Sequence, residues 1–103
     1  MISRILIIVT TLIVLCSNRL PAEEISARNL LLSQGCKGCH VFEGDGGTLG
    51  PALDKVGSRL TVFQIEQILL NPKLSNPDSV MPSFKHLKDE ERKSLAYFLN
   101  TRK

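Results

Sequence analysis

The sequence predicts a small all-α domain of three to four helices, and three observations carry that prediction. Apolar residues recur at helical spacing in separate segments, as with Val62, Ile65 and Leu69 or Leu95, Phe98 and Leu99. No segment alternates apolar and polar residues as a half-buried strand does. Gly and Pro punctuate the stretches between the periodic segments. With 103 residues the chain holds one small domain, which excludes a two-domain enzyme. The apolar fraction of 43% is unevenly placed, because residues 5–16 hold much of it. What remains buries a modest core, of the kind that usually needs a staple, a metal or a cofactor.

Residues 1–22 have the layout of a secretory signal peptide. Arg4 supplies the positive start, and residues 5–16 are apolar except for Thr10 and Thr11. A polar stretch then ends at Ala22, before Glu23 and Glu24. A spanning helix needs about 20 apolar residues, more than this run provides. Cleavage after Ala22 is expected, leaving a domain over residues 23–103, although Leu20 is larger than the side chain preferred at that subsite. Two readings compete. The segment is retained and anchors the domain to the cytoplasmic membrane, or Cys16 is lipidated, against which Leu15 stands. All ten acidic residues and eleven of the thirteen basic ones lie at or after Glu23, so the mature chain carries +1 against +3 for the whole. That charge offers no concentrated basic face for nucleic acid.

The elements of the domain follow in order. Residues 26–34 read as a short helix with Leu30, Leu31 and Leu32 as apolar contacts, stopped by Gly35. Residues 43–50 contain four Gly and one Asp and read as a loop. Thr61 and Gln64 match a capping box that opens a second helix. This helix should stop at Asn71, because Pro72 disfavours the α conformation before it. Residues 73–80 read as an extended strap. The last helix spans residues 89–101, with Asp89, Glu90 and Glu91 at its positive end and Arg102 and Lys103 at its negative end.

The strongest motif is Cys36-Lys37-Gly38-Cys39-His40, the C-x-x-C-H signature of c-type haem attachment. Two thiols at this spacing can add to the two vinyl groups of one porphyrin, and the next residue offers its imidazole to the iron. A redox disulfide would want a βαβ surround, which is not visible. A zinc site would need a fourth ligand, for which His86 is the remaining histidine. On the other face of the iron, Met81 is the single methionine of the mature region. Its thioether is a soft neutral ligand that favours ferrous iron. His86 is the alternative sixth ligand, otherwise a surface residue.

These segments together resemble the class I, single-haem cytochromes c of the small exported bacterial kind. The resemblance spans residues 27–101. It rests on the haem motif, on Gly46-Gly47-Thr48-Leu49-Gly50-Pro51-Ala52-Leu53, on Asn71-Pro72, on Met81-Pro82-Ser83-Phe84 and on the final helix. It implies an all-α fold of three to four helices around one haem c, bound covalently through Cys36 and Cys39, with His40 and Met81 as axial ligands. It further implies that the Pro51 carbonyl accepts a hydrogen bond from His40 and that Arg59 pairs with a haem propionate. Lys88 departs from the family, where a Ser or Thr is more usual; Asp89 is the substitute cap. Leu53, Val56, Leu60, Ile65, Leu69, Val80, Phe84 and Leu87 are the expected haem-pocket walls.

The function expected is one-electron transfer, with both axial positions filled and no catalytic constellation. Partners would be redox proteins met transiently outside the cytoplasm, in the periplasm, by a monomer. Lys37, Lys85 and Lys88 either steer acidic partners or are solvated surface residues. The competing readings are a membrane-anchored haem subunit of a respiratory complex, and a haem enzyme or gas sensor with a labile distal Met.

Overall fold

A computed structural model describes residues 19–103, with side chains from Ala22 onward. Most of the expected signal segment, Cys16 included, lies outside the described residues. The elements in chain order are α1 (Arg19–Ser33), a single 3-10 turn (Cys36–Gly38), β1 (Val41–Phe42), β2 (Asp45–Gly46), a second 3-10 turn (Val56–Ser58), α2 (Val62–Leu70), α3 (Pro72–Ser75) and α4 (Asp89–Asn100). The expected all-α fold is what the described residues form, with one short hairpin added. Among them no helix is long and apolar enough to cross a membrane.

Helix α1 begins well before the expected residue 26. Pro21 falls in its first turn, where a missing N–H costs nothing, and Ala22, Glu23 and Glu24 are all good helix formers. Ala27 and Leu31, one turn apart, are fully buried, and Leu30 is half-buried beside them. The expected stop holds: Gly35 adopts φ 77°, a left-handed conformation open to glycine at little cost.

The hairpin replaces part of the expected loop. Val41 pairs with Gly46 and Phe42 with Asp45, closed by Glu43 (φ 52°) and Gly44 (φ 77°). Two consecutive left-handed residues make the turn that matches strand twist. Glu43 is an unusual choice there, and its surroundings compensate. Its amide donates to the Asp54 carboxylate, and its own carboxylate accepts from Arg28 Nη1 at 2.6 Å. That bond holds the Arg28 guanidinium above its ordinary pKa. Arg102 Nη2 lies 3.6 Å from the same carboxylate. Both guanidinium groups also stand over the Phe42 and Phe98 rings, between 4.6 and 5.6 Å from the centroids.

Helix α2 opens as the sequence predicts. Gln64 N–H donates to Thr61 Oγ1 at 3.1 Å, and Thr61 N–H donates to Gln64 Oε1 at 2.9 Å. Ile65 and Leu69 are buried. It ends at Leu70 with Asn71 as its cap, ahead of Pro72. The expected extended strap is shorter than residues 73–80, because Pro72 opens the single-turn helix α3. Proline suits a first helical turn as well as it ends the preceding helix.

Helix α4 packs against both α1 and α2 and completes the core with Leu95, Ala96, Phe98 and Leu99. Its cap corrects one expectation: Lys88, not Asp89, sits at the N-cap with φ −61° and ψ 151°. Lys88 N–H donates to Glu91 Oε1 at 3.0 Å, but an ammonium has no lone pair to return the bond. Asp89 is drawn away to Arg92.

Candidate functional site

Gly35 turns the chain out of α1 directly into the 3-10 turn that carries Cys36. Within it, Cys39 N–H and His40 N–H both donate to the Cys36 carbonyl, at 3.3 and 3.0 Å. This folds the motif back on itself, so both thiols and the imidazole belong to one tight turn. Cys36 and Cys39 are free thiols, each half-buried. Burial pushes the Cys36 thiol up, partly opposed by a backbone hydrogen bond.

The following segment wraps this turn closely. Gly47 N–H donates to the Lys37 carbonyl at 2.9 Å, and Gly50 N–H to the Cys39 carbonyl at 2.7 Å. A Cβ on Gly50 would collide with the His40 ring, so the imidazole rests on bare backbone there. Gly46 is left-handed at φ 137°, and a Cβ on it would collide with the His40 carbonyl. Lys37 Nζ lies 3.0 Å from Asp45 Oδ2, an ion pair whose carboxylate is open to solvent.

His40 Nδ1 lies 2.6 Å from the Pro51 carbonyl oxygen. A carbonyl can only accept, so Nδ1 carries the proton and donates, leaving a lone pair on Nε2. Pro51 itself is exposed, and the next carbonyl, that of Ala52, accepts from Arg59 Nη2 at 3.3 Å. Through that bond the exposed Arg59 borders the segment that follows Pro51.

Met81 lies in the segment between α3 and α4. Its side chain is half-buried and packs on the same apolar cluster as Cys36, Leu30, Leu60 and Val62. The strap bearing it is extended and tied to α2. Phe84 N–H donates to the Leu69 carbonyl at 2.8 Å, and Ser83 Oγ–H to the Leu70 carbonyl at 2.6 Å. Of the expected walls, Leu53, Val56, Ile65, Leu69, Phe84 and Leu87 are buried and Leu60 is half-buried. Val80, also expected as a wall, is instead 76% exposed, while the adjacent Met81 is half-buried. His86 is exposed and bonds Gln34, Nε2 to Oε1 at 2.8 Å.

Sequence reasoning missed Arg92, a buried cation at 6% exposure. The signal was present: residues 92, 95, 96 and 99 share the helical stripe that α4 buries. It also missed the Arg28 and Arg102 pair over Phe42 and Phe98, which is assembled from segments distant in sequence.

The residues present fit a haem. Two unpaired thiols lie in the turn that leads into an imidazole whose Nε2 lone pair is preserved by the Pro51 bond, and a bare glycine gives the ring its seat. Imidazole and thioether are both suitable donors to iron. Among the described residues no three His, Cys, Asp or Glu side chains converge as a metal cluster, and His86 stands with Gln34. A protein-family model described as Cytochrome c matches residues 27–103. No curated protein matches the chain.

Proposed function

The chain belongs to the cytochrome c family, whose work is haem-based electron transfer, and from that premise we propose that it is a one-electron carrier with His40 and Met81 as axial ligands to one haem c. The observation that carries the ligation is the His40 Nδ1 bond to the Pro51 carbonyl, made in the same turn as the two free thiols. Haem supplies the ferric–ferrous couple when bound.

The chain's own groups do the rest. Cys36 and Cys39 hold the cofactor covalently. The Pro51 carbonyl fixes the His40 tautomer and the orientation of the ring, and Gly50 admits the ring against the backbone. The strap brings Met81 to the apolar cluster, where a neutral thioether is tolerated without a charge partner. Arg59, beside the Ala52 carbonyl, is the cation available to a propionate. Residues 1–22 serve as an export signal, which places the mature protein in the periplasm as a monomer that meets redox partners transiently. Exposed Lys85 and Lys88 are the cations available for such encounters, since Lys37 is paired with Asp45.

The test is spectroscopic and uses the haem-loaded mature protein. Haem should stay on the chain through acid-acetone extraction, and intact mass should equal residues 23–103 plus one haem. The ferric protein should show the weak long-wavelength sulfur-to-iron charge-transfer band. Met81→Ala should abolish the band and let cyanide bind readily, while His86→Ala keeps it. Absence of the band from the unmutated protein, with cyanide binding made ready by His86→Ala and not by Met81→Ala, would reverse the ligand assignment. Ready binding of carbon monoxide by the unmutated protein would replace the carrier with a sensor or enzyme.

A further inference from the structure

Arg92 is the one charged side chain buried in the core among the described residues, at 6% exposure, and nothing in the site as described so far uses it. Desolvating a guanidinium is costly unless its contacts answer for it. From α4 it reaches the loop that follows the strap. Nη1 donates to the Leu87 carbonyl at 2.6 Å, with the carbonyls of Lys85 at 3.4 Å and Phe84 at 3.5 Å as longer partners. Nη2 donates to the Asp89 carboxylate. The Nε–H is buried without a partner among the described residues, so the polar contacts of the group are those of its two terminal nitrogens.

Its targets sit at a particular place in the chain. Residues 84–87 begin three positions after Met81, and three residues span at most roughly 10 Å. Pro82 stiffens that tether, and Ser83 Oγ–H is already fixed to the Leu70 carbonyl. The Ser83 and Phe84 anchors to α2 and the Arg92 contacts to residues 84–87 therefore fix the C-terminal end of the segment that carries Met81. Phe84 itself is clamped between the Leu69 carbonyl, which accepts its N–H at 2.8 Å, and the guanidinium on its other side.

We infer that Arg92 is a positioning residue for the distal ligand: it welds residues 84–87 to α4 and so holds the strap that presents Met81. This rests on the reading of Met81 as an axial ligand. Lysine is not an adequate substitute, because a flexible ammonium lacks the rigid planar group that aims one nitrogen at the Leu87, Lys85 and Phe84 carbonyls together.

The experiment compares the haem-loaded mature protein with Arg92→Lys and Asp89→Asn, by native-state amide exchange and by cyanide binding to the ferric form. In the unmutated protein the Phe84 and Leu87 amides should exchange within about tenfold of those of Leu95 and Ala96, as one opening unit. In Arg92→Lys, the Phe84 and Leu87 amides should exchange at least about tenfold faster while Leu95 and Ala96 hold within about threefold. Cyanide should then bind at least about tenfold faster. Asp89→Asn, which leaves the carbonyl contacts, should match the unmutated protein in both. Equal acceleration at all four amides, or an unchanged cyanide rate, would overturn the proposal. If Arg92→Lys does not accumulate, Phe84 and Leu87 amides exchanging hundreds-fold faster than α4 in the unmutated protein would overturn it as well. A missing charge-transfer band in the unmutated protein would instead remove the Met81 reading, and the positioning role with it, whatever the amides report.

Discussion

At the scale of single residues, the site depends on what is absent as much as on what is present. Gly50 carries no side chain where the His40 imidazole lies, and a methyl group there would collide with the ring. Gly50→Ala should therefore tilt His40 off the Pro51 carbonyl and lower both haem content and stability. Overpacking of this kind costs about 1–3 kcal/mol, to be read as a lower denaturant midpoint together with a lower haem-to-protein ratio. Full haem content with an unchanged midpoint would mean that the ring does not need this seat. The Cys, His and Met side chains could be named from the sequence because their chemistry is rare and their spacing diagnostic. Arg92 could not be assigned a task in the same way. Its place on the buried stripe of α4 is periodic, but its acceptors are backbone carbonyls, which every residue possesses.

At the scale of elements, the two longer helices of the second half differ in how they begin. Helix α2 has a complete capping box between Thr61 and Gln64. Thr61→Ala removes the acceptor for the Gln64 amide and should cost about 1 kcal/mol. For a domain of this size that lowers the melting temperature by roughly 4–8 °C. Helix α4 has half a box: Glu91 accepts the Lys88 amide, and Lys88 has nothing with which to accept in return. Its backbone already has the extended conformation of a cap, so Lys88→Ser should complete the box and raise the melting temperature. A fall in Lys88→Ser would show that the lysine contributes elsewhere. The acidic first turn of α4 was legible from the sequence, since Asp89, Glu90 and Glu91 favour the positive helix end. The hairpin was not, because Glu43 gives no local warning of a left-handed conformation that Asp54, Arg28 and Arg102 support from elsewhere.

At the scale of the molecule, the segment bearing Arg59 is closed against the end of α4. Gly57 N–H donates to the Arg102 carbonyl at 2.7 Å, Lys103 Nζ–H to the Gly57 carbonyl at 3.0 Å, and Asn100 Nδ2–H to the Leu60 carbonyl at 2.9 Å. Gly57 is buried, and a Cβ on it would collide with the Asn100 carbonyl. Gly57→Ala should thus separate the loop from the helix and destabilise the whole domain by about 1–3 kcal/mol, measured by thermal or denaturant unfolding. An unaltered midpoint would mean that the chain relaxes there without loss. The same end of the molecule joins first and last helices, with Phe42 and Phe98 tilted at 54° between them and two arginines covering the rings.

The sequence by itself determined the class of fold, the attachment turn, the two candidate axial ligands and the boundaries of α2, because each rests on local spacing or on the intrinsic chemistry of a few side chains. Only the tertiary structure decided where α1 begins, that Lys37 meets Asp45, and which backbone carbonyls the buried Arg92 finds. Those are matters of which distant backbone groups meet. The Arg92 guanidinium in the first turns of α4 meets the Leu87 carbonyl just before that helix, and the Gly57 amide meets the Arg102 carbonyl at the far end of the chain. Every residue carries a carbonyl, so composition and periodicity cannot say which one a buried donor will find.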